Sequence, residues 1–456
     1  MILFCGLFIV TLFFPFYSTS PSLAEQPLFK KYIIEFNLKT LEQSLADDSY
    51  RGEEGILNIR PEEARSLGMK VVIDEDYLES MRLFEEADKC LEKAKGFMSS
   101  DSKEKISGYY AKEISENFLK YKKNFGEAKM RLMNYHSRLN QRNDDRLDEA
   151  LCLRMIDRIL EEAFGTSGKG LRDNLAIFFN RCHGVDSNDY PLTSKNVRFV
   201  NYVFNGFLKE ASEEEKKKQD LDLDRSKGNA YGSSDWKDAA GFGTSEYFSL
   251  LEASLKKLGD TIYPVDPLLF MALIKKESGF DPSAVSPVGA AGLTQIMPET
   301  AKELGMKNIF LPEYYFEAVS LMKSEREAKN KALSSLFQIQ EEETLTHAEQ
   351  ARTLMQESIT LGLKRAELYE RYEKELLKNR DDERLQASTA IEYGLKYFAG
   401  LMKQYKGDIS LALASYNAGE YRVRDFNGIP PYKETVNFRN RILTYYNDYL
   451  AKVIDR

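Results

Sequence analysis

PLLFMALIKKESGFDPSAVSPVGAAGLTQIMPETAKELG, residues 267 to 305, decides the fold and the chemistry of this chain. Asp266 stands before it as an N-cap and Pro267 suits the first helical position, so a helix opens here and runs to Ser278 and Gly279. Glu277 is read as its last residue. Ile274, Leu273 and Phe270 lie three, four and seven residues earlier, which sets this carboxylate on an apolar stripe and off the Lys275 face. The helix dipole opposes a negative charge at this end and an apolar wall disfavours ionisation, so both raise the pKa of Glu277. A glutamate turned outward to water is the plain alternative at a helix end.

The residues that follow are rich in turn formers: Gly279, Asp281, Pro282, Ser286, Pro287, Gly289 and Gly292, before a new helix opens near Pro298. A loop must fold back over Glu277. Gly289 and Gly292 would let the backbone approach a bound sugar, and the Gln295 amide and Ser286 hydroxyl offer hydrogen bonds suited to N-acetyl and hydroxyl groups. A carboxylic acid still protonated near neutral pH is what protonation of a glycosidic oxygen requires.

At this point the sequence resembles the soluble lytic transglycosylases. Their ES block and GA.GL.Q.MP.TA run stand here as Glu277, Ser278, Phe280, Ala284, Ser286, Gly289, Ala290, Gly292, Leu293, Gln295, Met297, Pro298, Thr300 and Ala301. A second block, IEYGLKYFAGLM, carries Ile391, Gly394 and Tyr397, with Ala390 where the family has asparagine. A third, LALASYNAGEYRV, is followed by IPPYKET with Glu434, and Phe438 replaces the tyrosine usual after that glutamate. The resemblance covers about 245 to 305 and 387 to 450. It implies a mainly helical, lysozyme-like catalytic domain with Glu277 as the sole acid and base and no cofactor. It also implies a groove lined by Ser286, Gln295, Met297, Tyr416 and Glu434, with Ser278, Gly289, Gly292, Asn417 and Gly419 shaping the motif. Core packing is the alternative for Tyr416, since Ile409 and Leu413 share its helical face. The implied reaction cleaves the bond between N-acetylmuramic acid and N-acetylglucosamine and leaves a 1,6-anhydromuramoyl end.

Outward from these blocks, residues 308 to 386 alternate acid and base at helical spacing and read as a solvated helical hairpin inserted into the domain. Apolar residues between Tyr77 and Asn140, and in LDEALCLRMIDRILEEAF, LRDNLAIFFNRC and NVRFVNYVFNGFLKEA, recur at helical spacing too. A predominantly helical N-terminal domain is therefore expected over 25 to 212, of unread role, joined by a charged, Gly- and Ser-rich linker at 213 to 244 to a catalytic domain at 245 to 456. No fixed-period repeat is evident.

Residues 2 to 17 form a short apolar run containing Pro15, with small residues Ser22 and Ala24 after it, which reads as a signal peptide cut after Ala24, with an uncleaved anchor as the alternative, and predicts export to the periplasm or cell envelope. The net charge of −8 makes electrostatic binding of nucleic acid improbable. Cys90, Cys152 and Cys182 show no metal-site spacing, and His136, His183 and His347 are scattered, so a zinc site or a histidine triad is not expected. The partners expected are peptidoglycan glycan strands, with the N-terminal domain and the insertion as candidate surfaces for a cell-envelope protein. Two rival functions stay open: a lysozyme-type hydrolase, and a non-catalytic peptidoglycan-binding or assembly module.

Overall fold

The computed structural model describes residues 27–100, 107–165, 170–185, 190–211, 245–340, 343–379 and 381–454. The expected signal peptide and linker lie outside them. Within them the chain is mainly α, as the sequence leads one to expect: sixteen α-helices, 3₁₀ turns at Asp145–Leu147 and Glu383–Leu385, and isolated β-bridges in place of strands.

The first seven helices are α1 (Pro27–Ala46), α2 (Pro61–Ser66), α3 (Glu75–Ser99), α4 (Ser107–Arg138), α5 (Glu149–Phe164), α6 (Leu171–Cys182) and α7 (Val197–Glu210). After residue 244 come α8 (Ser245–Leu258), α9 (Pro267–Ser278), α10 (Pro298–Leu304), α11 (Glu313–Phe337), α12 (Thr344–Lys378), α13 (Ala387–Gln404), α14 (Ile409–Ala418), α15 (Glu420–Asp425) and α16 (Lys433–Ile454). Aspartates start many of them. Asp74, Asp148, Asp266 and Asp408 each accept backbone N–H bonds from the first turn of the helix that follows.

The same device is built twice. In the first half Arg146 is 1% exposed and binds Asp144 through Nε and Nη2 (both 2.8 Å), donates Nη2 to the Tyr135 hydroxyl (2.7 Å), and donates Nη1 to the carbonyls of Gly52 and Ile59. In the second half Arg384 is fully buried and does the same to Asp382, Tyr372, Gly289 and Ile296. Tyr135 in turn donates to the Val72 carbonyl and Tyr372 to that of Phe310, both at 3.0 Å. The loop above each arginine has the same form. Asn58 and Gln295 both have positive φ, 52° and 47°, and the bridges Glu54↔Ile59 and Ala291↔Ile296 close equivalent turns. A Cβ on Gly55 would lie 1.8 Å from the Arg146 carbonyl oxygen, and one on Gly292 would lie 1.7 Å from that of Arg384.

This duplication is a different feature from the fixed-period repeat sought in the sequence. The two copies lie roughly 240 residues apart, far beyond the 20 to 50 residues of stacked repeats. Most helical positions have drifted, because a helix face tolerates any apolar side chain of suitable volume. What persists is the pattern G..G...I.P at 52–61 and 289–298, the Asp-acid-Arg-Leu turn, and the buried polar bonds.

The copies pack against each other through buried polar contacts. Arg172 pairs with Asp408 and Arg439 with Asp173, while Asn201 Nδ2 donates to the Ile429 carbonyl and Asn440 Nδ2 to the Leu192 carbonyl, each at 2.8 Å. The core built on α1, α5, α6 and α7 reaches across to Ala414, Val423, Ile429 and Val436.

The hairpin at 308 to 386, read from the sequence as a solvated elaboration, is α11 against α12, and α3 with α4 is its counterpart in the first copy. The two hairpins share a core of Ala94, Met98, Ala111, Ile114 and Phe118 with Ala332, Leu336, Ala348, Ala351 and Met355. Small residues let these helices approach closely, so the contact is made largely by alanines that a search for leucines overlooks.

Candidate active site

The apolar stripe read from the sequence is real: Phe270, Leu273 and Ile274 of α9 are buried among residues of α13, α14 and α16. The helix carries on one residue beyond Glu277 to Ser278 and is closed by Gly279 in the left-handed conformation (φ 62°), whose N–H returns to the Lys275 carbonyl. Ser278 turns its hydroxyl back to the Ile274 carbonyl (3.1 Å) and accepts the N–H of Phe280. It therefore shapes the corner beside Glu277.

The Glu277 side chain is half-buried, yet protein crowds its carboxyl. Burial pushes its pKa up to about 8; Lys276 opposes the rise and the charge of Glu434 adds to it. Tyr416 is held well above the usual phenol range by burial and then by the Glu277 charge, so its hydroxyl stays a donor. It donates to the Thr294 carbonyl at 2.7 Å.

The loop from 279 to 297 is fixed largely by its own backbone. Ser286 Oγ accepts the Ala290 N–H (2.9 Å), and Gly292 N–H reaches the Ala284 carbonyl (2.9 Å). Gln295 was read as a sugar ligand through its amide. Its Nε2 is instead spent on the carbonyls of Ala284 and Gly292, both at 2.9 Å, which leaves the amide oxygen as its remaining polar atom. Gly289 and Gly292, read as places where backbone nears a sugar, are needed for another reason. A Cβ on Gly289 would strike Tyr315 at 2.8 Å, and Gly292 lies against the Arg384 carbonyl, so the close approach is to the protein itself.

The remaining motif residues converge on this loop. Thr294 donates Oγ1 to the Ala390 carbonyl (3.0 Å), and a Cβ on Gly394 would come within 2.6 Å of Thr294. The ring of Tyr397 lies 5.2 Å from that of Tyr416. Asn417 accepts the Thr435 hydroxyl (2.8 Å) and Gly419 (φ 85°) opens α15, so both shape the turn after α14. Met297 precedes α10 and packs partly buried beside Tyr315, whereas Glu434 is exposed in the first turn of α16. Phe438 is buried in the core, with the Lys276 ammonium 5.5 Å from its ring centre. Sequence reading missed the loop's supports, Asp382, Arg384, Tyr372 and Tyr315. The doubled Asp-acid-Arg-Leu pattern was the available signal.

Among the described residues no cluster of His, Cys, Asp and Glu has the arrangement of a metal site. No helix there is long and apolar enough to cross a membrane.

Comparison with known proteins agrees with the motif blocks. The sequence model of the transglycosylase SLT domain matches residues 259–319 and 318–438, so the resemblance to lytic transglycosylases is borne out over this part of the chain. A transglycosylase of Enterobacteria phage PRD1 is 46% identical over 50 residues, which is 11% of this chain and 19% of that protein; the chain thus matches about a fifth of the length of this curated relative. Among solved structures, an inactive mutant of the lytic transglycosylase Slt from Pseudomonas aeruginosa is 14% identical, covering 94% of this chain and 73% of that one, with a TM-score of 0.25.

Proposed function

We propose, from the transglycosylase SLT domain that this chain carries, that the protein is an exported lytic transglycosylase acting on peptidoglycan glycan strands. The observation that carries the reading is the Glu277 carboxyl, kept protonated near neutral pH by burial at the end of α9, directly before the matching loop. A group of that kind gives up its proton to a leaving oxygen at the pH where the cell wall is remodelled.

The reaction then runs in two proton transfers. Glu277 donates its proton to the oxygen of the bond between N-acetylmuramic acid and N-acetylglucosamine, and the bond from C1 of the muramoyl sugar to that oxygen breaks. As a carboxylate it next takes the proton of the muramoyl 6-hydroxyl, whose oxygen bonds to C1. No water is consumed, and Glu277 ends protonated as it began. Tyr416 and Thr294 position the loop, Ser286, Gln295 and Met297 line the groove, and Glu434 holds the charge that helps keep Glu277 protonated. Residues 1 to 24 serve as the export signal.

The test is mass spectrometry of the muropeptides released from purified sacculi by the wild type and by Glu277→Gln. Products lighter by one water than the hydrolytic ones, absent with the variant, support the reading. Reducing ends throughout would instead make the enzyme a lysozyme-type hydrolase, and no release at all would leave a binding or assembly module.

A further inference from the structure

The first copy of the duplicated unit keeps the architecture of the site and lacks its acid. Both α1 and α9 open with Pro-Leu, and Asn37 stands as far into α1 as Glu277 stands into α9. Asn37 is 3% exposed, and its Nδ2 donates to the carbonyls of Ile56 (3.0 Å) and Leu57 (3.2 Å). Leu57 occupies the place of Thr294, whose carbonyl accepts the Tyr416 hydroxyl in the second copy. The counterpart of Tyr416 in the FFN triplet of α6 is Phe179, which has no hydroxyl to give. Two changes are thus coupled: the tyrosine donor is lost and an asparagine in the acid's position supplies the missing hydrogen bond. A side chain committed in this way neither donates nor recovers a proton during a reaction.

The position has not been packed shut. A cleft of about 320 Å³ opens beside Asn37. Its walls include Phe36, Phe179 and Phe199, with the Phe36 and Phe199 rings 5.4 Å apart and those of Phe179 and Phe199 5.2 Å apart. Such apolar faces suit the C–H face of a pyranose. Asn58, the counterpart of Gln295, lines the cleft as well. It is 7% exposed, and its Oδ1 is buried with no hydrogen-bond partner. An acceptor left in that state calls for a donor from a ligand, such as the N–H of an acetamido group. At the edge stand Lys195 and Arg198, both exposed, and Lys195 aligns with Glu434 of the second copy. The two acids also present have local partners: Glu63 pairs with Arg60 at 2.9 Å, and Glu53 accepts the Arg51 N–H at 2.7 Å.

We infer that the cleft at Asn37 is a second glycan site, which holds an N-acetylated sugar strand bearing carboxylates and does not cut it. The amide donor meets Asn58, the sugar ring lies on the phenylalanines, and Lys195 and Arg198 meet the lactyl or peptide carboxylates. Naming the strand as peptidoglycan rests on the function proposed above; the site's preference for an acidic N-acetylated glycan does not. One chain then grips its polymer at one copy while the other cleaves it, which raises the local strand concentration at Glu277.

The test uses the full chain carrying Glu277→Gln, titrated calorimetrically with a peptidoglycan tetrasaccharide bearing stem peptides and, in parallel, with neutral chitotetraose. Two binding events are expected with the tetrasaccharide. Lys195→Glu with Arg198→Glu, both at exposed positions, should abolish one event or weaken it at least tenfold while chitotetraose binding changes less. Asn58→Leu should weaken that same event for both ligands. In the active background the charge-reversed variant should cleave small soluble glycans at the wild-type rate and sacculi several-fold more slowly. A single event unaffected by these changes overturns the inference. So does cleavage that survives Glu277→Gln and disappears when Glu53→Gln is added, since the first copy would then be lytic. If the wild type proves inactive on sacculi yet two events are seen, the proposed function fails and the second site stands.

Discussion

Replacing Glu277 by glutamine should make the folded protein more stable at neutral and alkaline pH, in addition to removing its activity. An unfolded glutamate titrates near its ordinary 4.5, whereas burial raises Glu277 to about 8 in the folded state. Between those values the native chain binds more protons than the unfolded one, so stability falls as pH rises through this window and levels off above it. At about 1.4 kcal/mol per pH unit, the full loss approaches ~5 kcal/mol above pH 8 and ~3 kcal/mol at pH 7. Solvent at the open side of the half-buried side chain lowers these figures, and we expect ~2 kcal/mol at pH 7. Glutamine keeps the shape without the charge, so the variant escapes the penalty. The assay is thermal melting of both proteins at pH 4.5, 7 and 9. The curves should coincide at pH 4.5, and the variant should melt about 2 °C higher at pH 7 and higher still at pH 9. Equal melting temperatures at all three values would refute the reasoning, because a carboxyl that costs nothing to ionise is not held protonated by its surroundings.

The rate should follow the same group: kcat/KM for soluble glycans declines tenfold per pH unit above about 8, and a decline beginning near pH 5 would show an ordinary carboxylate. Gly292→Ala puts a methyl 1.7 Å from the Arg384 carbonyl oxygen at a φ of 77°, so the loop must shift and activity should drop roughly 100-fold. Gly55→Ala creates the same clash beside Arg146 and should lower the melting temperature comparably while sparing turnover of small glycans. Arg384→Ala strands the buried Asp382 carboxylate and should cost about 3 to 5 kcal/mol in urea unfolding, and Arg146→Ala should cost a similar amount through Asp144. Shortening the hairpin between Val319 and Leu368, which keeps Tyr315 and Tyr372 under the loop, should preserve cleavage of soluble glycans. It should also expose the apolar face of α3 and α4, read as increased hydrogen exchange there.

The local signals in this sequence were sufficient for α9. An aspartate cap, a proline, an apolar stripe and a glycine stop define α9 without help from the rest of the chain, because capping and periodicity act over a few residues. The same holds for the turn-rich loop and for the helices of the first half. What the local pattern could not give was direction across the fold. Gly292 had to be glycine because Arg384, more than ninety residues later, lays its carbonyl there. Gln295 turned its amide inward because it adds a second donor to two carbonyls of its own loop, those of Ala284 and Gly292. Tertiary structure alone also decided that Asn37 stands where Glu277 stands, since the equivalence rests on which buried arginine each loop closes over. Chemistry at this site comes from residue types in a short run, and that is legible in one dimension. The duplication is preserved in backbone conformation and buried hydrogen bonds, which constrain few side chains, so in one dimension it leaves only the short G..G...I.P and Asp-acid-Arg-Leu patterns, and their meaning became clear once the distant partners were brought together.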